Sequence, residues 1–288
     1  MKEIKNTGNG KKLIFLDIDG TISDFCGTMP ESAREAFKKV KDNGHKLCVC
    51  TGRGKGEIYP WMLQMDFDGF ICGAGAYAEW QREEIYANYM EPELLEALGS
   101  LFVKNNILCI FEGTRCNYVA SAQEEMSDYF MEELRKRLGR EKNVLPKPRA
   151  VADWSELTEV NKLSYRNDGL QKDEFHRLLN SSLQEKYRDK LTLLDYSIAP
   201  GEPLAGEIMM QGVHKAYGME LLLKHLGMKR EDTIAVGDGM NDYEMLQFAG
   251  IGVAMGNAEE ELKQVADRVT APIQEDGLYL ALKNLDLF

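Results

Sequence analysis

No apolar run in this sequence approaches the roughly 20 residues that a membrane-spanning helix needs. The first ten residues, MKEIKNTGNG, also lack the apolar segment of a secretory signal peptide. A basic surplus is missing too, because 35 lysines and arginines face 47 aspartates and glutamates, which gives a net charge of −12. These absences predict a cytoplasmic protein whose partner is neither a membrane nor a nucleic acid, and they leave the oligomeric state open.

Cysteine pairs of the CxxC type are absent as well. Three of the six cysteines, Cys48, Cys50 and Cys72, lie in apolar runs that are predicted to be strands. This placement favours buried free thiols over disulfides or a zinc site. With 288 residues, of which 44% are hydrophobic and 28% charged, the chain has the composition of a soluble globular protein with one large domain or two ordinary ones.

Strands and helices alternate near both ends of the chain. The run LIFL is followed by a helical pattern from Pro30 to Gly44 and by the strands HKLCVC and GFICGAG. The last third repeats this rhythm, from the helix KAYGMELLLKHLG to a closing helix in GLYLALKNL. Such alternation predicts right-handed βαβ units and a Rossmann-like parallel sheet in an α/β protein.

The middle of the chain has a different pattern. Helical segments, among them KDEFHRLLNSSLQEKY, alternate with strands that arrive in pairs, such as ILCIFEG and CNYVAS. This pattern predicts an α+β unit with an antiparallel sheet, inserted into the parallel one. We therefore expect a discontinuous core domain, residues 1–80 and 201–288, and an inserted α+β domain, residues 81–200.

Two carboxylates, Asp17 and Asp19, follow the first apolar run. A strand alternates its faces with period two, so both side chains point the same way if the strand continues to residue 19. Like charges at that distance repel each other. A cation, a proton or a substrate has to compensate for this repulsion.

Four polar stretches follow strands or open helices, which in an open parallel sheet are the positions where ligands bind. They are DIDGT (residues 17–21), TGR (residues 51–53), Lys215 and GDGMND (residues 237–242). Each alone is compatible with a turn, a surface lysine or a helix cap. Their joint occurrence, in this order and on these elements, favours a common site.

The chemistry of these residues is that of a phosphoryl site. Asp17, Asp238 and, as a further candidate, Asp242 offer the hard oxygens that magnesium prefers. The phosphoryl group would be surrounded by four kinds of donor. They are the hydroxyl of Thr51, the backbone N–H of Gly52, the positive charge of Lys215 and the amide of Asn241.

In this order, the four stretches resemble the four motifs of the haloacid dehalogenase superfamily of phosphohydrolases. The run GVAMGNAEEELKQVADRVTAPIQEDGLYLAL resembles the tail of its Cof-type subfamily (subclass IIB), and the insert is similar to that subfamily's α+β cap domain. The resemblance covers nearly the whole chain. It implies a phosphatase in which Asp17 is the nucleophile that forms an aspartyl-phosphate, while Asp19 is the general acid and then the base.

The resemblance also implies a magnesium cofactor and a small phosphorylated metabolite, such as a sugar phosphate, as substrate. The implied ligands of magnesium are Asp17, the backbone carbonyl of Asp19, and Asp238, with Asp242 near or within the ligand set. Thr51 and Lys215 would hold the phosphoryl oxygens. Asn241 would contact the phosphate or brace its loop.

Two alternatives stay open. A phosphomutase uses the same intermediate, and a signalling module could be phosphorylated on Asp17 in the manner of response-regulator receivers. Receivers, however, need neither an acid two residues after the nucleophile nor a long insert.

The chain departs from the common Cof-type pattern at two positions. Ala74 stands where many members carry asparagine, which predicts the loss of a polar contact near the substrate entrance. His214 stands where a small hydroxyl residue is common. In the insert, four polar side chains near strand ends are candidates to face the site: Glu112, Arg115, Lys162 and Arg166.

Overall fold

The computed structural model describes residues 10–137, 146–196 and 203–288. The signal-peptide argument and the predicted boundary at residues 200 and 201 concern residues outside these ranges. The chain divides into two compact units. The first unit comprises Met1–Gly52, Pro60–Tyr86 and His214–Phe288. The second unit comprises Arg53–Tyr59 and Ala87–Val213.

Strands and helices are numbered in chain order over the described residues. The strands are β1 Leu13–Leu16, β2 Lys46–Cys50, β3 Gly69–Cys72, β4 Tyr77–Trp80, β5 Glu83–Ala87, β6 Leu108–Gly113, β7 Asn117–Ala120, β8 Arg149–Val151, β9 Val160–Asn167, β10 Leu191–Tyr196, β11 Leu204–Met210, β12 Thr233–Gly237, β13 Ile251–Ala254 and β14 Arg268–Val269. The α-helices are α1 Glu31–Asp42, α2 Pro60–Leu63, α3 Pro92–Lys104, α4 Glu124–Arg137, α5 Lys172–Ser182, α6 Glu185–Arg188, α7 Lys215–Leu226, α8 Tyr243–Phe248, α9 Glu260–Val265 and α10 Gly277–Asn284. None of these helices has the length and hydropathy needed to cross a bilayer.

The first unit is built around an eight-stranded sheet with the order β14-β13-β12-β1-β2-β3-β4-β5. The strands from β14 to β3 pair in parallel, and β4 pairs antiparallel with β3. All four side chains of β1 are fully buried, as expected for a central parallel strand that is covered on both faces. The predicted α/β class with a parallel-sheet core is confirmed.

β1 ends at Leu16, so it does not carry Asp17 and Asp19 on one strand face. The chain turns instead, because the backbone N–H groups of Ile22 and Ser23 both donate to the carbonyl of Ile18, at 3.0 and 2.9 Å. The two side chains were predicted to point the same way only if the strand continued to residue 19, and the strand does not continue that far. The two carboxylates lie at the start of a tight loop.

The second unit contains a six-stranded sheet with the order β10-β11-β9-β6-β7-β8, antiparallel except between β7 and β8. Side chains of α3, α5 and α6 form its apolar core together with strand residues such as Phe111 and Tyr165. The segment KDEFHRLLNSSLQEKY, predicted as one helix, forms α5 and α6 instead. The helix breaks because Leu183 adopts an extended backbone, with φ −77° and ψ 143°.

Candidate active site

The first and third polar stretches meet in a buried ion pair. Asp17 directly follows β1, and Lys215 is the first residue of α7. The Nζ atom of Lys215 lies 2.6 Å from Oδ1 of Asp17 and 2.5 Å from Oδ1 of Asp242. The lysine is only 1% exposed, so solvent screens this charge cluster weakly. The lysine therefore joins the end of β1 to the loop after β12.

Asp238 completes a group of three buried carboxylates. Ligand oxygens of Asp17, Asp238 and Asp242 lie within 4.8 Å of one another. Asp238 itself accepts hydrogen bonds from Thr21 Oγ1, at 3.0 Å, and from Asn257 Nδ2, at 3.1 Å. One lysine thus faces three carboxylates, which leaves an excess of negative charge in the cluster.

The pKa values reflect this excess. Burial raises the pKa of Asp17 well above its usual value, and the charge of Asp242 raises it further, against the opposing effect of Lys215. Burial and Asp242 likewise raise the pKa of Asp238, to about 7. Burial alone would lower the pKa of Lys215, but the attraction of Asp17 and Asp242 prevails and raises it. Closely spaced hard oxygens with uncompensated charge fit a divalent cation such as magnesium.

Glycine permits the close approach of the motifs at two positions. Gly20 has φ +87°, and a Cβ atom there would lie 2.0 Å from Oδ2 of Asp238. A Cβ atom on Gly52 would lie 3.2 Å from Nδ2 of Asn241. The glycine of DIDGT therefore lets Asp238 lie against the loop after β1, and Asn241 lies beside the TGR segment. All four predicted stretches meet at the carboxyl ends of the parallel strands.

Asp242 makes three hydrogen bonds to protein groups. Its Oδ1 accepts from Lys215, and its Oδ2 accepts from the backbone N–H groups of Asp238 and Gly239, at 3.0 and 3.1 Å. The residue is fully buried. Its carboxylate therefore fixes both the lysine and the loop after β12.

Thr51 and Asp19 lie at the same edge of the sheet. Thr51 follows β2, is 2% exposed, and accepts at its carbonyl a hydrogen bond of 3.1 Å from the N–H of Ala74. Asp19 is half-buried and forms an isolated bridge with Ser23. Thr51 is thus held by the loop after β3, and Asp19 by the loop after β1.

Ala74 adopts a left-handed backbone conformation, with φ 54° and ψ 32°. Asparagine tolerates this region better than alanine does, which gives a backbone reason for the residue that many Cof-type chains carry here.

Ala74→Gly should raise the free energy of unfolding by about 0.5–1 kcal/mol, because glycine adopts this conformation without steric cost. Ala36→Gly, the same change inside α1, should lower it by at least about 1 kcal/mol, because glycine disfavours the helix and the buried methyl group is lost. Urea denaturation of both variants measures these two opposite changes in the free energy of unfolding. A loss of stability in both would show that the buried Cβ of Ala74 outweighs its strain.

Sequence reasoning missed two residues that support Asp238. Asn257 bridges the carboxylate of Asp238 and the carbonyl of Gly20, the latter at 3.0 Å, and its own Oδ1 accepts from the N–H of Ile273. Thr21 is the last residue of DIDGT, and Asn257 lies in the GNAEE run of the C-terminal tail. Both residues therefore belong to stretches that the sequence analysis had already compared with the family. His214, at the second departure, caps α7 by accepting a hydrogen bond from the N–H of Tyr217, at 3.2 Å.

The four candidates in the second unit separate into two groups. Glu112 and Lys162 lie 3.2 Å apart and are almost fully buried. Arg115 pairs with Glu159 at 2.9 Å, and Arg166 pairs with Glu133 at 2.8 Å. The two arginines are therefore engaged in ion pairs outside the Glu112–Lys162 pair.

Comparison with known proteins identifies the family of this chain. Residues 14–282 match the family of haloacid dehalogenase-like hydrolases. The chain is 29% identical, over 279 residues, to the 5-amino-6-(5-phospho-D-ribitylamino)uracil phosphatase YitU of Bacillus subtilis strain 168, covering 94% of this chain and 96% of the relative. The phosphatase YcsE of the same organism, named for the same activity, is 24% identical over 278 residues, covering 95% of each chain.

A solved structure supports the same family assignment. The chain resembles the subclass IIB sugar phosphatase BT4131 with a TM-score of 0.75 and 30% identity, covering 96% of this chain and 100% of that one. The chain belongs to the haloacid dehalogenase-like hydrolases. Within them it is a phosphatase of the Cof type, so the predicted family and enzyme class are confirmed.

Proposed function

We propose that this enzyme is a magnesium-dependent phosphatase that hydrolyses monophosphates of small, hydroxyl-rich metabolites, such as sugar phosphates, through an aspartyl-phosphate on Asp17. The observation that carries the proposal is the buried contact of Lys215 with Asp17 and Asp242, next to Asp238. A positive charge in contact with the candidate nucleophile, beside a group of carboxylates that can hold a cation, supplies the charge stabilisation that phosphoryl transfer needs.

In this proposal Asp17 attacks phosphorus. The bond from phosphorus to the alkoxide oxygen breaks, and Asp19 donates a proton to the leaving oxygen. Asp19, now a carboxylate, then removes a proton from water, which attacks phosphorus and releases phosphate and free Asp17. Lys215, the Thr51 hydroxyl, the Gly52 N–H and Asn241 hold the phosphoryl oxygens.

Asp17, Asp238 and the backbone carbonyl of Asp19 are the proposed ligands of magnesium. When bound, the ion neutralises charge on the phosphoryl oxygens and on the carboxylates. Because Asp242 already accepts three protein hydrogen bonds, we propose that it positions Lys215 and the loop and stays beside the ligand set.

The substrate class is supported by the relatives. YitU and YcsE are named for a ribityl phosphate, and BT4131 for sugar phosphates. Ribityl and sugar groups share a short carbon chain that carries several hydroxyl groups. A hydroxyl-rich alcohol is therefore the common chemistry from which we infer the leaving group of this enzyme.

Magnesium should be required for turnover, and excess calcium should inhibit it. Calcium is larger and accepts more ligands in looser geometry, so it should misplace the attacking carboxylate. Phosphate release is measured in chelator, then with added magnesium, and then with calcium titrated against magnesium. Full activity in chelator, or equal rates with either ion, would contradict the proposed metal role.

A screen of phosphorylated metabolites with purified protein and magnesium, scored by phosphate release, tests the substrate class. Sugar and polyol monophosphates should rank above nucleotides and phosphorylated acids. A requirement for a sugar bisphosphate activator, with isomerised product and little free phosphate, would favour the phosphomutase. Stable phosphorylation without turnover would favour the signalling module.

A further inference from the structure

Asn257 makes hydrogen bonds to two segments of the candidate active site, although it belongs to none of the four predicted stretches. It lies in the loop between β13 and α9. Its Nδ2 donates to Oδ2 of Asp238, at 3.1 Å, and to the carbonyl of Gly20, at 3.0 Å. One amide group therefore joins the loop after β12 to the loop after β1, and all three residues belong to the first unit.

A third hydrogen bond determines the orientation of this amide. Oδ1 of Asn257 accepts from the backbone N–H of Ile273, a buried residue, at 3.0 Å. Because a backbone N–H can donate only to the oxygen of the side-chain amide, the NH₂ group has to face Asp238 and Gly20. The side chain thus has both a donor and an acceptor in use, and alanine at this position would lose all three bonds.

Both carboxylate oxygens of Asp238 accept hydrogen bonds from the protein. Oδ1 accepts from the hydroxyl of Thr21, which is fully buried, at 3.0 Å, and Oδ2 accepts from Asn257. Oδ2 also lies against the backbone of Gly20, where a Cβ atom would be 2.0 Å away. Turning the carboxylate would break at least one of these bonds, so the protein itself sets the orientation of Asp238.

Asn257 also acts close to a second proposed ligand of magnesium, the carbonyl of Asp19. This carbonyl belongs to the same peptide group as the N–H of Gly20, which donates to the carbonyl of Ser23 at 2.7 Å. The next carbonyl along the chain, that of Gly20, is the one that accepts from Asn257. Asn257 therefore restrains the backbone beside one proposed ligand and the side chain of another.

Such restraint affects magnesium and calcium differently. Magnesium requires a nearly ideal octahedron with short bonds, so it gains from ligands that are already in place. Calcium is larger, accepts about six to eight oxygens in looser geometry, and takes one or two oxygens from each carboxylate. When a carboxylate is released from its hydrogen bonds, we therefore expect magnesium to lose more binding free energy than calcium does.

We propose that Asn257 is a positioning residue that favours magnesium over calcium, by holding Asp238 and the backbone beside the Asp19 carbonyl in one arrangement. This inference rests on the proposed function, which places magnesium among these groups. It goes further because it assigns the discrimination between two ions to a side chain outside the proposed ligand set.

The test compares Asn257→Ala with the parent enzyme. Asn257 lies at the surface although its amide is hydrogen-bonded, so the variant should fold. Metal-free protein is titrated with magnesium chloride and, separately, with calcium chloride, and the rise of the melting temperature gives the dissociation constant for each ion. We expect the affinity for magnesium to fall about tenfold or more, and the affinity for calcium to fall by a clearly smaller factor.

A second variant and a control accompany this comparison. Thr21→Val removes the other donor to Asp238 with little change of shape, and it should shift the ratio of the two affinities in the same direction. Asn43→Ala is the matched control, because Nδ2 of Asn43 also donates to a backbone carbonyl of the first unit, that of Leu287, at 2.8 Å. The control should leave both dissociation constants unchanged.

A merely structural role of Asn257 would lower the melting temperature in chelator and leave the ratio of the two affinities unchanged. An unchanged ratio in Asn257→Ala, whether both affinities fall equally or neither falls, would therefore overturn the inference. Failure of the proposed function is a different result, because the melting temperature of the parent enzyme would then respond to neither ion.

Discussion

Asp17→Asn should lower kcat by about 10⁴-fold or more with every phosphomonoester, to the background of the preparation. The change keeps the shape of the side chain but removes the attacking charge and one proposed ligand of magnesium. Steady-state phosphate release, from protein purified in parallel with the parent enzyme, measures the loss. Asp66→Asn is the matched control, because Asp66 is a surface carboxylate that pairs with Lys41, and this variant should keep full activity.

The same variant should not lose stability. Because burial and Asp242 raise the pKa of Asp17, its ionised form costs free energy in the metal-free fold at neutral pH, and this cost disappears as the pH falls through the raised value. Asparagine removes the charge at every pH. Metal-free Asp17→Asn should therefore melt at or above the temperature of the metal-free parent enzyme.

Retention of more than a few per cent of kcat by Asp17→Asn would remove Asp17 as the nucleophile.

Asp19→Ala should separate two roles of one carboxylate. As the proposed acid, Asp19 would matter only for leaving groups that need a proton, which a sugar alkoxide does and a nitrophenolate does not. As the proposed base, it would act on the same aspartyl-phosphate whatever the substrate was. The variant should therefore release up to one equivalent of nitrophenol from p-nitrophenyl phosphate in a burst and then stall, while an alkyl phosphate should give no burst.

Rapid mixing with both substrates measures this difference. The parent enzyme, run alongside, should turn over both without stalling. Equal impairment of the burst on both substrates, in a variant that still binds magnesium, would remove Asp19 from the role of general acid.

The sequence predicted which segments come together better than it predicted the backbone around them. Asp17, Thr51, Lys215 and the residues of GDGMND come together because each stands where a parallel strand ends or a helix begins, and topology alone brings such positions to one edge. The residue at which β1 ends could not be predicted in the same way. An apolar run followed by DIDGT fits a continuing strand as well as a turn. In the structure the carbonyl of Ile18 accepts three backbone hydrogen bonds, from Thr21, Ile22 and Ser23, and these form the turn.

Supporting residues were the harder part to predict. Asn257 acts on Asp238 across a sequence separation of 19 residues, and only the folded chain brings its amide to that carboxylate. The break between α5 and α6 depends on the extended backbone of Leu183, which has a high helix propensity but is buried in the apolar core of the second unit. In both cases tertiary contacts outweigh any local pattern.

Acid quenching of Asp19→Ala during the nitrophenol burst, followed by peptide mass mapping, tests the central claim most directly. The account predicts a mass increase of one phosphoryl group on the peptide that contains Asp17, in an amount equal to the nitrophenol released, and no increase when Asp17 is also changed to asparagine. Nitrophenol release without protein phosphorylation, or phosphorylation of a peptide that lacks Asp17, would contradict the account.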